Sequence, residues 1–189
     1  LVIVLEKLDG SCVAVANLDG QIVPLMRAGY RAEDSHYEQH HLFAEWVAQH
    51  RKRFQKLLKP GERVCGEWLA QAHGTRYQLG DREPFAPFDL FQGSERLPWF
   101  EAEYRFRRVD LQPPALLHAG QALPLVEADR RLGTYGYHGA IDPAEGVVYR
   151  VERQGRVEFL AKWVRAGKQD GCYLPELTGQ PPLWNWYPE

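Results

Sequence analysis

The sequence predicts an α+β fold with mainly antiparallel sheets. Short apolar segments typical of strands dominate the chain, and segments with helical periodicity are inserted between them. Asp19-Gly20, a good hairpin signal, and the turn pair Gln154-Gly155 each separate consecutive strand-like segments.

The N-terminal third begins with strands. Residues 1–7 and 12–17 are two predicted strands joined through Asp9-Gly10, and residues 21–26 form a third strand after Asp19-Gly20. One long amphipathic helix is predicted over residues 36–58. Its apolar side chains recur at steps of three and four residues, namely Phe43, Trp46, Val47, His50, Phe54, Leu57 and Leu58. Pro60-Gly61 ends it.

Strands also dominate the rest of the chain. The predicted elements are, in order, strands 62–70 and 85–91, a helix over 97–108, a short strand at 115–120, a short helix over 123–132, and strands 146–152 and 157–165. Pro113-Pro114 interrupts the chain, and the aromatic, Pro-rich tail PPLWNWYP is expected to wrap the surface. We find no internal repeat.

Composition limits the class of protein. A chain of 189 residues with 44% hydrophobic content fits one globular domain over residues 1–189. No apolar run approaches the roughly 18 residues that cross a bilayer, so no membrane is expected. The three cysteines contain no CxxC pair, which favours a reducing cytoplasm. Because the chain does not begin with Met, we expect N-terminal residues or a partner domain to lie outside it.

The net charge of −2 disfavours a bulk polyanion binder, but the charges are unevenly distributed. Two runs are basic, residues 50–59 (HRKRFQKLLK) and residues 105–108 (RFRR). Each run alone is typical of a solvated helix face, and together they are candidates for binding phosphates. His36, His40 and His41 do not predict a zinc site, since no second pair of ligands lies nearby in the sequence.

Charged residues lie at or within apolar strand segments at six points of the chain. In chain order they are Lys7, Arg27, Glu67, Asp89 beside Phe88, Glu145 and Lys162. A single charge in a strand usually faces solvent, and a buried ammonium is costly. Six such positions together indicate strands that converge on one cleft.

In this order the residues resemble the covalent nucleotidyltransferase superfamily, which comprises ATP-dependent DNA ligases, RNA ligases and mRNA capping enzymes. The resemblance covers residues 7–165. Lys7-Leu8-Asp9-Gly10 matches the KxDG nucleophile motif, and the other matches are Arg27 in LMRAGYRA, Glu67 in GEWL, Phe88 in PFDLF, Glu145-Gly146 and Lys162. The resemblance implies a ligase adenylation fold, with antiparallel sheets and flanking helices around a nucleotide cleft.

Within the superfamily the sequence is most similar to RNA ligases. The segment ERVCGEWLAQAHGTRY and the Glu6-Lys7 pair carry this likeness. Two positions depart from the pattern. Cys12 stands where double-strand-sealing relatives tend to have Asn, and Val164 stands where a second lysine follows the last motif lysine, so that Arg165 is a possible substitute.

The resemblance also implies a chemistry. Lys7 attacks the α-phosphate of ATP and forms a lysyl-AMP, AMP passes to a 5′-phosphate end of RNA, and a 3′-OH then seals the strand. The implied nucleotide-binding set is Glu6, Lys7, Arg27, Glu67, Phe88, Glu145 and Lys162, in which Lys7, Lys162 and Arg27 are catalytic. Glu145 is expected to hold Mg²⁺ or Mn²⁺. Glu6 is expected to face away from Lys7, because adjacent strand residues point to opposite faces.

Other functions remain open at this point. The same motifs fit a small ATP-dependent DNA ligase, so DNA is an alternative substrate to RNA. They also fit a capping-type enzyme that uses GTP. A relative that binds RNA without catalysis is the alternative from a different class, although a binding protein has no need of a lysine at the end of a buried strand. The sequence does not indicate an oligomeric state.

Overall fold

The computed structural model describes residues 1–188. In this part of the chain there are nine strands: β1 (Val2–Lys7), β2 (Ser11–Leu18), β3 (Gln21–Met26), β4 (Glu62–Trp68), β5 (Phe85–Gln92), β6 (Glu95–Arg96), β7 (Leu116–Gly120), β8 (Gly146–Arg153) and β9 (Arg156–Val164). The helices of the same part are α1 (Glu38–Gln49), α2 (Arg51–Leu57), α3 (Trp99–Arg107), α4 (Leu125–Leu132) and α5 (Pro175–Thr178), with a 3-10 helix at Ala32–Asp34.

The chain forms two compact units, each with its own antiparallel sheet, and the predicted α+β class with mainly antiparallel sheets is confirmed. The first unit contains Leu1–Gly10, Leu69–Pro84 and the chain from Pro114 onward. The second unit contains Ser11–Trp68 and Phe85–Pro113.

The sheet of the first unit has four strands in the order β7-β1-β8-β9. Helix α4 covers one face of it, where Val4 and Val147 pack with Ala128, Leu132 and Ala144 in a buried cluster. Val4 and Val147 lie on adjacent strands, so this apolar face fixes which side chains of β1 and β8 point away from α4.

The sheet of the second unit has five strands in the order β3-β2-β4-β5-β6. Helices α1 and α2 contribute Phe43, Trp46 and Phe54 to an aromatic core against Trp68 of β4 and Phe85 of β5. The ring centroids lie 5.2 to 6.1 Å apart, the spacing at which aromatic pairs add about 0.5–1.5 kcal/mol each beyond burial. These contacts fix the helix-facing side of β4 and β5.

Two hairpins form at the predicted turn pairs. Asp19 and Gly20 have φ of 51° and 90° between β2 and β3, and Gln154 and Gly155 have φ of 51° and 74° between β8 and β9. Positive φ at both central residues is the conformation that favours a two-residue hairpin. The segment at Asp9 makes no such hairpin, since β1 and β2 belong to different sheets.

The prediction of one helix over residues 36–58 is wrong. The segment forms α1 and α2, which meet at His50. His50 has φ of −101° and ψ of 15°, outside the helical region, and its ring donates a hydrogen bond of 2.8 Å to the carbonyl of Trp46. This side-chain bond competes with the helical pattern, and the sequence periodicity does not show it.

The C-terminal tail is held to the first unit by Asn185. Its side-chain carbonyl accepts from the backbone N–H of Tyr77 at 2.8 Å, and its amide donates to the carbonyl of Leu69 at 2.8 Å. Trp184 forms a bridge with Gln71. These bonds order the segment that follows β4 in sequence. Among the described residues, no helix is long and apolar enough to cross a membrane.

Candidate active site

Lys7 is the last residue of β1 and is held in register by β8. Its partner across the ladder is Gly146, and Gly146 in turn pairs with Val164 of β9. A Cβ atom at Gly146 would overlap the carbonyl oxygen of Trp163, so only glycine allows β8 and β9 to approach this closely. The close approach of the two strands therefore explains why glycine follows Glu145.

The amine of Lys7 forms an ion pair with Glu145. Nζ lies 2.5 Å from Oε2, and the two side chains are 19% and 11% exposed. Burial raises the pKa of Glu145, while the hydrogen bond from Lys7 opposes this shift. The predicted nucleophile and the predicted metal ligand are thus direct neighbours in a partly shielded position.

Behind this pair lies a second ion pair that the sequence did not indicate. Nζ of Lys168 is 2.8 Å from Oδ2 of Asp9, and the side chains are 9% and 6% exposed. The same Asp9 oxygen accepts from the N–H of Gly74 at 3.1 Å and from the hydroxyl of Thr75 at 3.0 Å. The Asp of KxDG therefore anchors the segment after β4 and a distant lysine.

Glu6 points to the opposite face of the sheet from Lys7. Its carboxylate accepts hydrogen bonds of 3.1 Å from the backbone N–H of Tyr137, in the Gly- and Tyr-rich loop after α4. Burial raises its pKa to about 6. The predicted orientation of Glu6 is confirmed, and its contact is with this loop; its assignment to nucleotide binding stays a prediction.

Lys162 lies on the same sheet face as Lys7. Lys162 pairs with Val148, and Val148 pairs with Leu5, so these three side chains share one face of the sheet. Leu5 and Lys7 are two residues apart on β1 and therefore point to that same face. Two strand spacings of about 4.8 Å therefore separate the strands of the two lysines. Lys162 is exposed and has no ion pair in the described part of the chain.

Arg165 is engaged elsewhere. Its guanidinium donates to Oδ1 of Asp129 at 2.9 Å and to the carbonyls of Gly133 and Thr134 at 2.7 and 3.0 Å. These acceptors lie at and just beyond the C-terminal end of α4, where a cation is stabilised by the helix dipole. The guanidinium thus fixes α4 to the end of β9, and the second buried cation near Lys7 is Lys168.

The other three predicted residues lie in the second unit. Glu67 on β4 is opposite Cys12 on β2, on the face that points away from the aromatic core. Arg27 follows Met26, the last residue of β3, whose ladder partner is Val13. Arg27 is exposed, one residue beyond this ladder and next to the row of Cys12 and Glu67.

Phe88 lies at a β-bulge. Cys65 pairs with Asp89 and Gly66 pairs with Pro87, so Phe88 has no direct partner on β4. Bulges re-aim a side chain and often lie beside active sites. The ring of Phe88 is half-buried, and because of the bulge its direction does not follow the regular alternation of side chains between the two faces of β5. A Cβ at Gly66 would overlap the ring of Phe85, which explains the glycine before Glu67.

Glu145 is the residue best placed to hold a divalent cation. In the described chain, no group of three or more His, Cys, Asp or Glu side chains forms a metal cage. Mg²⁺ binds through one or two carboxylates together with waters and substrate phosphates, so a single carboxylate such as that of Glu145, which is 11% exposed, suits it. Asp9 already accepts hydrogen bonds from Gly74 and Thr75 in addition to its ion pair with Lys168. Within residues 1–188 the Glu145 carboxylate hydrogen-bonds only to Lys7, so Glu145 is the candidate ligand.

Comparison with known proteins identifies the family. The family model for RNA ligases matches residues 1–164. Comparison with curated proteins finds no significant match. Several solved structures have similar folds, among them the following three RNA ligase structures.

An archaeal ATP-dependent RNA ligase is 22% identical, with a TM-score of 0.53 over 86% of this chain and 42% of that chain. A Naegleria gruberi RNA ligase mutant with ATP and Mn is 15% identical, with a TM-score of 0.62 over 87% and 50%. Another mutant of that ligase, with AMP and Mn, is 16% identical, with a TM-score of 0.61 over 86% and 49%.

These identities show similarity of fold, including the antiparallel sheets and helices of ligase adenylation domains. The chain spans 42% to 50% of the length of these solved relatives. The family model matches residues 1–164, which is most of the chain, and this range includes the segment from Lys7 to Lys162. The chain therefore belongs to the RNA ligase family.

Proposed function

We propose that this chain is the adenylation domain of an ATP-dependent RNA ligase that uses Lys7 as its nucleophile. The observation that carries the proposal is the position of the Lys7 amine at the end of β1, 2.5 Å from the Glu145 carboxylate. The similar folds of an archaeal ATP-dependent RNA ligase and of a Naegleria gruberi ligase with ATP and Mn support it.

The first step is attack of the Lys7 amine on the α-phosphorus of ATP. An N–P bond forms, the P–O bond to pyrophosphate breaks and the nitrogen releases a proton; for its lone pair to be available, the Lys7 ammonium must first give up one proton. The Glu145 carboxylate is within hydrogen-bond distance of that proton. Because burial raises the pKa of Glu145, this carboxylate is a better proton acceptor than one in open water.

The AMP group then passes from Lys7 to the 5′-phosphate of an RNA strand. A 3′-OH attacks that phosphate, forms the phosphodiester bond and releases AMP. Bound Mg²⁺ or Mn²⁺ would neutralise charge on the phosphates, and Glu145 would hold it. Lys162 would contact the α-phosphate, and its free ammonium on the Lys7 face of the sheet suits that role.

The residues of the second unit have separate proposed roles. Glu67 would accept hydrogen bonds from the ribose hydroxyls, and Phe88 would stack on adenine. Arg27 would bind a phosphate or the 5′ end of the RNA, for which its exposed guanidinium is suited. We also propose a cytoplasmic location, in line with the three free cysteines.

Strand sealing tests the proposed substrate. Purified protein, ATP and Mg²⁺ are incubated with 5′-³²P-labelled RNA carrying a 3′-OH, as single strands and as a nicked duplex, with matched DNA substrates in parallel. Sealed RNA, or the 5′-adenylated RNA intermediate, supports the proposal. Activity on DNA alone would indicate a DNA ligase, and label transfer from GTP in place of ATP would indicate a capping-type enzyme.

A further inference from the structure

The two basic runs of the sequence meet at one groove in the second unit. Helix α2 and the C-terminal end of α3 line a cavity of about 670 Å³, called here the α2–α3 groove. The charged residues that line it are Lys56, Lys59, Glu101, Arg105 and Arg108, and the aromatic ring of Tyr104 also lines it. Each run alone resembles a solvated helix face, so their meeting at one concave surface is a structural finding.

Hydrogen bonds between α2, α3 and β4 hold the groove in shape. Arg105 donates to Oε1 of Glu62 at 3.0 Å and to Oε2 at 2.5 Å, and it also donates to the carbonyl of Leu57 at the end of α2. Arg53 of α2 donates to the carbonyls of Val109 and Asp110 at 2.9 Å each. Helix α2 and the end of α3 are thus held together by two separate sets of hydrogen bonds.

The groove is cationic on balance. Glu62 neutralises Arg105, whereas Lys56, Lys59 and Arg108 are exposed and form no ion pair within residues 1–188. Glu101 is the one carboxylate among the lining residues of this groove. Three free cations on a concave surface attract a polyanion more strongly than the net charge of the protein suggests.

An exposed aromatic ring accompanies these cations. Tyr104 is 61% exposed and lines the groove, and the guanidinium of Arg108 lies over its ring at 5.8 Å from the centroid. Cations that track a phosphate backbone, together with an aromatic ring for base stacking, are the features of single-strand nucleic-acid binding. An acidic peptide would use the cations but not the exposed ring.

The groove is separate from the predicted nucleotide-binding residues of its own unit. Glu62 and Glu67 are five residues apart on β4, a distance of about 17 Å along the strand. An odd separation also places them on opposite faces of the sheet. The groove lies at Glu62, on the side of the helices, and Glu67 points away from that side.

We propose that the α2–α3 groove binds a single-stranded segment of nucleic acid, with phosphates at Lys56, Lys59 and Arg108 and a base stacked on Tyr104. The identity of the strand as RNA rests on the proposed ligase function. Binding here is independent of sequence, because the contacts are to the backbone and to a base face.

Fluorescence anisotropy with a fluorescein-labelled single-stranded RNA tests this at several KCl concentrations. We compare the double variant Lys56→Gln/Lys59→Gln with the matched control Arg153→Gln/Arg156→Gln, which removes two exposed cations from β8 and β9. Thermal unfolding of both confirms that they are folded. We expect the Lys56/Lys59 variant to bind about tenfold more weakly than the control and to reduce the slope of log K against log salt by about 1.4, for two lost phosphate contacts.

Tyr104→Ala should weaken binding about tenfold while Tyr104→Phe keeps it, because stacking needs the ring and not the hydroxyl. Equal affinities and equal salt slopes for the two double variants would contradict RNA binding at the α2–α3 groove. Polyglutamate that competes for binding as well as unlabelled RNA does would also contradict it. Label transfer from ATP is measured on the same wild-type preparation. RNA binding without labelling would contradict the proposed ligase function but not the proposed binding at the groove. Labelling without RNA binding would contradict binding at the groove but not the adenylation step.

Discussion

The amine of Lys7 lies 2.5 Å from Oε2 of Glu145, although 138 residues separate the two in sequence. The antiparallel ladder between β1 and β8 brings them together, since Lys7 pairs with Gly146, the residue after Glu145. A slip of one residue in this ladder would turn Lys7 toward the apolar face that packs on α4. The register of two strands therefore determines whether this pair exists.

Replacing Glu145 should impair the first chemical step. We expect Glu145→Gln to slow lysyl-AMP formation on the order of 100-fold and to remove most of its dependence on Mg²⁺, because the amide neither accepts the Lys7 proton nor holds a cation well. Rates are measured by label transfer from α-³²P-ATP across a Mg²⁺ titration. Glu158→Gln, at an exposed position on β9, is the matched control. An unchanged Mg²⁺ response in Glu145→Gln would rule out its metal role.

Replacing Phe88 should affect ATP binding more than turnover. Loss of stacking worth about 1 kcal/mol predicts a rise of about fivefold in KM for ATP in Phe88→Ala, with a smaller change in kcat. Phe91→Ala is the control on the same strand, since that ring lies between Arg63 and Arg96 at 4.1 and 4.8 Å. If Phe88→Ala and Phe91→Ala change KM equally, adenine binds elsewhere.

Glu6 should make stability depend on pH. Its pKa is about 6 in the folded protein against 4.5 for an ordinary Glu, because burial disfavours the charged form. The folded state therefore binds more protons between these values, and this contribution to stability is present below pH 4.5 and lost as the pH rises to 6. The difference corresponds to about 2 kcal/mol.

Chemical denaturation of wild type and Glu6→Gln at pH 4.5 and 7 measures this effect. The gap in unfolding free energy between the two proteins should change by about 2 kcal/mol over that range. Comparing the two proteins cancels the contributions of other groups, such as His138, whose pKa burial lowers to about 4. A gap that is constant with pH would show that Glu6 titrates normally.

The Asp9–Lys168 pair should be strongly coupled. Asp9→Ala leaves the buried Lys168 ammonium without its carboxylate, which is expected to cost about 3–5 kcal/mol of unfolding free energy. The double variant Asp9→Ala/Lys168→Met should recover part of that loss, and Asp9→Asn serves if the alanine variant does not fold. Additive effects in this double-mutant cycle, measured by chemical denaturation, would mean that the pair makes no net contribution.

Local signals account for the features that the sequence predicted well. The turns at Asp19-Gly20 and Gln154-Gly155 each contain a glycine, which adopts positive φ readily, and Asp19 tolerates it, so they could be identified without knowledge of tertiary structure. The Lys7 and Glu145 positions were identified through the KxDG and Glu-Gly motifs, each of which lies at one end of a strand-like segment. Their direct contact depends on a ladder register that no local pattern specifies.

Other features depend on contacts between distant segments. The bulge at Phe88 arises from the pairing of β4 with β5, and the break at His50 arises from a bond that its own side chain makes to Trp46. Lys168 lies in a loop with no motif around it, so its ion pair with Asp9 could not be anticipated. The assignment of β1 and β2 to different sheets likewise follows from long-range pairing.

The central claim is that Lys7 becomes covalently adenylylated, and the most direct measurement is label transfer from α-³²P-ATP with Mg²⁺, followed by a denaturing gel. Wild type, Lys7→Ala and the exposed control Lys52→Ala are run together, with labelled GTP in parallel lanes. The account predicts label on wild type and Lys52→Ala from ATP and none on Lys7→Ala. Label that persists on Lys7→Ala would contradict Lys7 as the nucleophile. An unlabelled wild type without bound AMP by intact mass would contradict the adenylation activity itself.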